Sequence, residues 1–262
     1  MWIGTELIHH PELSTLEKIY IRLFGAPING LRNRARRILP LFEGRKISSL
    51  LDAGCGPGIL TMELAKRYPE CKVTGIDILR KDIEINNIIA RKAGLKNCLF
   101  RVKDIADIEY VDEFDAILCV DNLEHIEDDV GAVTKLKKAL KPGGFAIFHV
   151  PGYYRRWFWF GKSVNFDVPT HVRPGYTLEQ IVDVIESRGL KVEESFYTYG
   201  YLETITNNIS YKITGAQKRN KHIYAFVFPF LLFFSWLGHW SRPEWGAGVV
   251  VVAKKKKIKK KL

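Results

Sequence analysis

The chain has 262 residues, 47% of them hydrophobic and 12% aromatic. That length and composition fit a single α/β domain carrying insertions and exclude a disordered or collagen-like chain. Forty Lys and Arg against 29 Asp and Glu leave a net charge of +11, and the run KKKKIKKKL (254–262) supplies seven of the positive charges. Such a block is either a solvated end or an arm for an anionic partner, a membrane surface or nucleic acid. Cys55, Cys71, Cys98 and Cys119 stand singly, without the Cys or His spacing of a zinc site, so no metal is expected and the thiols read as reduced. The opening MWIGTELIHHPELS lacks the basic and apolar regions of a secretory signal. The expected compartment is the cytoplasm, including the cytosolic face of a membrane.

Residues 1–45 mix apolar positions such as Leu16, Ile19, Leu23 and Ile38 with Arg32, Arg34, Arg36 and Arg37, and read as an N-terminal helical cap. A main domain is expected over 46–253. In it, apolar runs at 47–53, 72–77, 97–102, 114–120 and 144–150 alternate with helix-like segments at 59–67, 80–93 and 129–140, the pattern of βαβ units and a parallel sheet. After an aromatic-rich loop at 151–175 come a helix at 178–188, stopped by Gly189, and a strand near 190–198. The run GVVVVA (248–253) makes a seventh strand.

Within an insertion at 200–245, twenty residues (222–241) between Lys221 and Arg242 contain no Asp, Glu, Lys or Arg. Length alone qualifies them as a membrane span. A single crossing, however, would part the seventh strand from its sheet, and Lys218, Arg219 and Lys221 before the segment match the Lys tail after it. Pro229 among Tyr224, Phe226, Phe228, Phe230, Phe233, Phe234, Trp236 and Trp240 fits a helix lying in the interface or a shallow re-entrant hairpin. A buried helix covering the domain, or a dimer contact, is the plain alternative.

The sharpest local signal is Leu50 to Gly58 (LLDAGCGPG), an apolar strand entering a glycine-rich turn and then a helix. A dinucleotide loop read from Gly54 would need Gly or Ala where Ile59 stands; the arrangement is DxGxGxG instead. It resembles motif I of the class I S-adenosylmethionine-dependent methyltransferases. The likeness continues through Asp77 at the end of VTGID, Asp104 at the end of FRVKD, the segment Asp121-Asn122-Leu123-Glu124-His125-Ile126 and the turn Leu140-Lys141-Pro142-Gly143-Gly144. Each motif alone has a plain reading as a turn, a cap or a helix stop; their joint order is what counts against it.

The resemblance implies an α/β fold: a Rossmann-like, seven-stranded, mostly parallel sheet with helices on both faces, the N-terminal helical cap, and the apolar helical insertion before the last strand. It implies S-adenosyl-L-methionine as cofactor. Gly54, Gly56 and Gly58 would pack against it, Asp52 would orient the loop and the methionine amino group, Asp77 would accept from the ribose hydroxyls, and Asp104 would meet the adenine amino group. Ile78, Ile105 and Asp121 complete the implied cofactor contacts.

On the acceptor side, Tyr153 follows the fifth strand, and Asp167 to Arg173 (DVPTHVR) contains an HxR element similar to that of small-molecule methyltransferases of the ubiquinone and lipid-biosynthesis type. His171 is the candidate base or acceptor-orienting group and Tyr153 the second choice, against a satisfied structural His. His125, just after the fourth strand, is a third catalytic candidate against a loop-supporting role, and His149 is either site-lining or core. No Asn/Asp-Pro-Pro-aromatic segment or Pro-Cys follows the fourth strand, so no specific nucleic acid is expected. The expected partners are a small hydrophobic acceptor and an anionic membrane surface met by the aromatic insertion and the polybasic tail at 254–262. The alternative is a protein or RNA substrate bound by that tail. The acceptor atom and the oligomeric state stay open.

Overall fold

In the computed structural model, which describes residues 2–157, 161–165, 170–214, 220–240 and 243–257, the first strand is β1 (Ser49–Ala53). It is joined in one sheet by β2 (Lys72–Asp77), β3 (Cys98–Val102), β4 (Phe114–Val120), β5 (Leu140–Pro151), β8 (Leu190–Thr198) and β9 (Gly248–Lys255). The order across the sheet is β3-β2-β1-β4-β5-β9-β8. All neighbouring pairs are parallel except those made by β9, which runs antiparallel to both β5 and β8.

Alternation along the central strands builds two cores. Leu51, Ile117, Phe148 and Val251 face one side, under α5 (Asp129–Ala139) and α6 (Leu178–Ser187). Leu50, Leu118, Ile147 and Val250 face the other, under α2 (Asn29–Ile38) and α3 (Ile59–Arg67). Burial on both faces is why GVVVVA reads as a continuous apolar run. On the outer side α4 (Arg80–Lys92) packs Ile83 and Ile89 against Met62 and Phe100.

Three expectations change in detail. β9 continues through Lys255, which donates to Asp112 and to the carbonyls of Lys138 and Leu140, so the tail's first two lysines belong to a strand. α5 ends at Ala139 because Leu140 turns extended and bridges Phe114. The loop after β5 contains a hairpin, β6 (Tyr154–Trp157) with β7 (Gly161–Val164), closed by Gly161 at φ +77°. Asp167, Val168, Pro169, Lys218, Arg219 and 258–262 lie outside the described residues.

The N-terminal cap is α1 (Thr15–Phe24) and α2 with flanking 3-10 turns; Ser14 and Glu17 form a capping box on α1. The insertion is two helices, α7 (Tyr201–Thr214) and α8 (Lys221–Leu237), and α8 packs on α2 and α7. Tyr224, Phe228, Leu231 and Leu232 of α8 are buried, and Tyr20 of α1 donates to the Ala225 carbonyl at 2.7 Å. The opposite face is bare: Phe226, Phe230, Phe233, Trp236 and Trp240 of the insertion are exposed, as are Leu16, Ile19 and Leu23 of α1. Lys221–Trp240 is long and apolar enough to cross a membrane by composition, yet a third of it is buried against the domain.

Candidate active site

The C-terminal ends of β1, β2 and β4 converge on a cleft of about 210 Å³ lined by Gly54, Asp77, Ile78, Asp104, Ile105 and Asn122, with His125 at its edge. The glycine turn forms its floor. Gly54, Gly56 and Gly58 hold φ of +77°, +48° and +68°, a region that favours glycine. A Cβ on Gly54 would collide with the Asn122 amide and one on Gly58 with the Phe100 ring, whereas one on Gly56 would project into open space. Gly54 and Gly58 are therefore required by packing, while Gly56 leaves a bare backbone for a ligand to approach.

Three polar groups hold the turn. Asp77 accepts from the Gly56 amide at 2.8 Å and from the Leu79 amide at 3.0 Å, and each oxygen retains a lone pair for a ligand hydroxyl. Asn122 donates to the carbonyls of Ala53, Gly54 and Val120, clamping the turn to the end of β4. Asn86 donates to the Gly56 carbonyl at 2.7 Å. Below the turn, Asp52 is buried and accepts from Thr61 at 2.5 Å; burial, offset in part by that bond and reinforced by Asp77, lifts its pKa to about 7. Asp104 caps a 3-10 turn by accepting from Ala106 at 2.8 Å. Ile78 is exposed and Ile105 buried, so the cleft presents apolar side chains beside these carboxylates.

At the mouth, the rings of His125 and His171 meet edge-on with centroids 4.6 Å apart. His125 Nδ1 lies 3.0 Å from the Thr170 carbonyl, to which it donates, turning Nε2 away from that bond. His171 Nδ1 is buried without a hydrogen-bond partner among the described residues, and burial together with His125 lowers its pKa, favouring the neutral imidazole. Glu124 is fully buried beneath them; neither carboxyl oxygen has a described hydrogen-bond partner, and burial next to Asp121 raises its pKa well above the usual carboxylate range. One ligand atom from each of Glu124, His125 and His171 falls within 4.8 Å of the others, a spacing that a cation could use.

Of the expected catalytic and binding residues, His171 stands against His125 just outside the cleft wall, and Asp121 and Tyr153 are engaged by other partners. Both carboxylate oxygens of Asp121 are engaged, by His149 Nδ1 at 2.6 Å and by Arg34 at 2.8 Å, and Asp121 does not line the cleft. Tyr153 pairs its backbone with Tyr176 and its ring with Tyr154, and does not line the cleft either. His149 is buried between Asp121 and Thr198. Arg173 of the HxR element is spent on structure, donating to the Tyr176 hydroxyl at 2.6 Å and pairing with Asp129.

A family described as methyltransferase domain matches residues 45–162. The chain is 36% identical over 124 residues to a ubiquinone biosynthesis O-methyltransferase of Alkalilimnicola ehrlichii, a match covering 46% of this chain and 48% of that protein. It is 33% identical over 177 residues to the protein of the same name from Hydrogenovibrio crunogenus, covering 66% and 65%. The fold superposes on a SAM-dependent methyltransferase from Aquifex aeolicus with a TM-score of 0.57 at 16% identity, over 88% of this chain and 98% of that one. Residues 45–162 carry a methyltransferase domain, and the chain is similar to class I S-adenosylmethionine-dependent methyltransferases. It spans about half the length of the first of these curated relatives.

The geometry suits the methyltransferase cofactor. The bare Gly56 backbone, the spare lone pairs of Asp77 and the apolar pair Ile78 and Ile105 offer places for a chain, a diol and an aromatic base. Sequence reasoning about this methyltransferase missed Asn122 as a clamp, although its place directly after β4 marks it, and missed Glu124 as a buried acid. It also missed Arg34, whose pairing with Asp121 joins the cap to the sheet and has no local signature.

Proposed function

We propose that this methyltransferase transfers the methyl group of S-adenosyl-L-methionine to a hydroxyl oxygen of a small, hydrophobic acceptor presented at the cytosolic face of a membrane. The observation that carries the reading is the pair of imidazoles, His125 and His171, that meet edge-on at the mouth of the glycine-floored cleft. The names of the curated relatives support oxygen as the acceptor atom. The exposed aromatic face of α8, continued by α1, supports the membrane.

When bound, the cofactor supplies an already activated methyl group. The chain's part is to position and to manage one proton. Asp52 and the turn at Gly54, Gly56 and Gly58 would hold the amino-acid end, Asp77 the ribose, and Asp104 with Ile78 and Ile105 the base. Neutral His171 would take the acceptor's hydroxyl proton, the step a hydroxyl needs and an amine lone pair does not. His125, its Nδ1–H tied to Thr170, would orient the acceptor.

Incubating the protein with labelled S-adenosylmethionine and a membrane lipid extract tests this reading. Label is expected in an extractable, alkali-stable ether. Label confined to protein or RNA would overturn the acceptor class.

A further inference from the structure

A cavity of about 580 Å³, within the range of small-ligand sites, opens between the N-terminus, α2 and α8. Its walls include Trp2, Phe24, Phe233 and Trp236, and its cationic groups are Arg32 and Arg36. Arg32 is 5% exposed. Its guanidinium donates to the carbonyls of Ala26 and Phe24 and lies 5.5 Å from the Trp2 ring and 5.6 Å from the Phe228 ring. Arg36 donates to Ser235 at 2.7 Å and to Asn33 at 3.4 Å. Neither pairs with a carboxylate among the described residues, in contrast to Arg34 and Arg37, which pair with Asp121 and Glu203 from the same helix. The Nδ1 of His239, another wall of the cavity, is buried without a hydrogen-bond partner.

A buried guanidinium and a half-buried one lining the same cavity, both hydrogen-bonded to neutral acceptors only among the described residues, are unfavourable unless an anion joins them. Burial and mutual repulsion lower the pKa of Arg32 to about 10, the expected sign for a cation awaiting a counter-charge. A free inorganic anion would have no use for the aromatic walls. An amphiphile would, because the cavity shares Phe233 and Trp236 with the exposed aromatic face of α8.

We propose that the Arg32–Arg36 cavity binds the phosphate headgroup of an anionic phospholipid, seating α8 in a membrane at one fixed depth. The inference rests on the membrane-surface reading of α8 but not on the identity of the methyl acceptor. The described lysines of the tail are elsewhere: Lys254 and Lys257 line a different cleft, with Arg45, Lys141 and Gly143. The headgroup site and the tail are thus separate anion contacts.

The test is thermal unfolding of the full chain with dihexanoyl phosphatidylglycerol below its micelle concentration, with the phosphatidylcholine analogue, and with inorganic phosphate. Only the anionic lipid is expected to raise Tm. Arg36→Gln should abolish the rise and weaken binding to mixed phosphatidylcholine and phosphatidylglycerol vesicles about ten-fold, while Arg36→Lys keeps part of both. Unchanged affinity of Arg36→Gln for S-adenosylmethionine certifies its fold. A variant that responds like the wild type, an equal shift with inorganic phosphate, or no shift with any of the three would overturn the proposal. A wild type that shifts with the lipid yet labels nothing in a lipid extract would instead sink the acceptor reading and leave this site standing.

Discussion

The two ends of this molecule obey opposite rules. Around β1, β2 and β4, apolar side chains are buried and the loops are tied down: Asn122 alone makes three hydrogen bonds, and Asp77 holds two amides. On the α1 and α8 side, apolar side chains stand in the open and two arginines have no carboxylate partner among the described residues. A contiguous exposed apolar surface is unfavourable in water and marks an interaction site. The first region therefore specifies a fold with a cleft, and the second specifies where that fold sits.

The sharpest way to break this comparison uses two phenylalanines two residues apart on α8. Phe228 is fully buried and Phe230 is 58% exposed. Phe228→Ala should cost about 3–5 kcal/mol of stability, measured by denaturant unfolding. Phe230→Ser should leave stability within about 0.5 kcal/mol of wild type and weaken vesicle flotation. If Phe230→Ser destabilises the protein as much as Phe228→Ala, the face packs against something and is not a docking surface.

Next in size is His171→Gln. Removing the proposed base should lower kcat by about 10²–10³ at neutral pH with little change in cofactor affinity. Because burial and His125 lower the pKa of His171, the base stays neutral to a more acidic pH than an ordinary imidazole. The wild-type rate should hold as pH falls, then drop below the usual imidazole range, and His171→Gln should erase that acidic limb. A limb that persists in the variant assigns the proton to another group.

The cleft was readable because its parts are local. Gly54, Gly56, Gly58, Asp77 and Asp104 each follow a strand, so an apolar run next to a glycine or an acid announces the position. The seven strands of the main sheet were visible for the same reason, with ends shifting by a few residues where Leu140 and Lys255 joined pairings no periodicity reports, whereas the β6–β7 hairpin was read as loop. The insertion was visible as an apolar segment, but which of its aromatics are bare depends on how α8 rolls against α1, α2 and α7. The engagement of Asp121 was not legible because its partners, Arg34 and His149, come from far apart in the chain.

That Arg34–Asp121–His149 link allows a smaller test. Burial opposes ionisation of Asp121, but Arg34 and His149 outweigh it and hold its pKa below the usual carboxylate range. A carboxyl with a lowered folded pKa stabilises the fold fully above its unfolded value, about 3.9, and the contribution fades as pH falls through the lowered value. With its side chain 25% exposed, the pair should contribute about 1–2 kcal/mol, lost in Asp121→Asn. Stability of the wild type and the variant should converge in acid; a constant gap between pH 7 and pH 2 would show that the charge is not the source.

The smallest effect sits at Asp52, where the pKa is raised to about 7 by burial. Here the sign is reversed: the folded chain holds a proton the unfolded chain has lost, so stability falls as pH rises from about 4 towards 7 and is flat above. A cationic cofactor placed next to this carboxyl favours its ionised form and lowers its pKa again. Binding S-adenosylmethionine should then release a fraction of one proton near pH 7, more at pH 6, and almost none at pH 9. Calorimetry in two buffers of different ionisation enthalpy reads that release directly, and Asp52→Asn should abolish it. A binding heat independent of buffer across this range would mean that Asp52 holds the turn without meeting the cofactor's charge, leaving Thr61 as its only polar partner in the cleft floor.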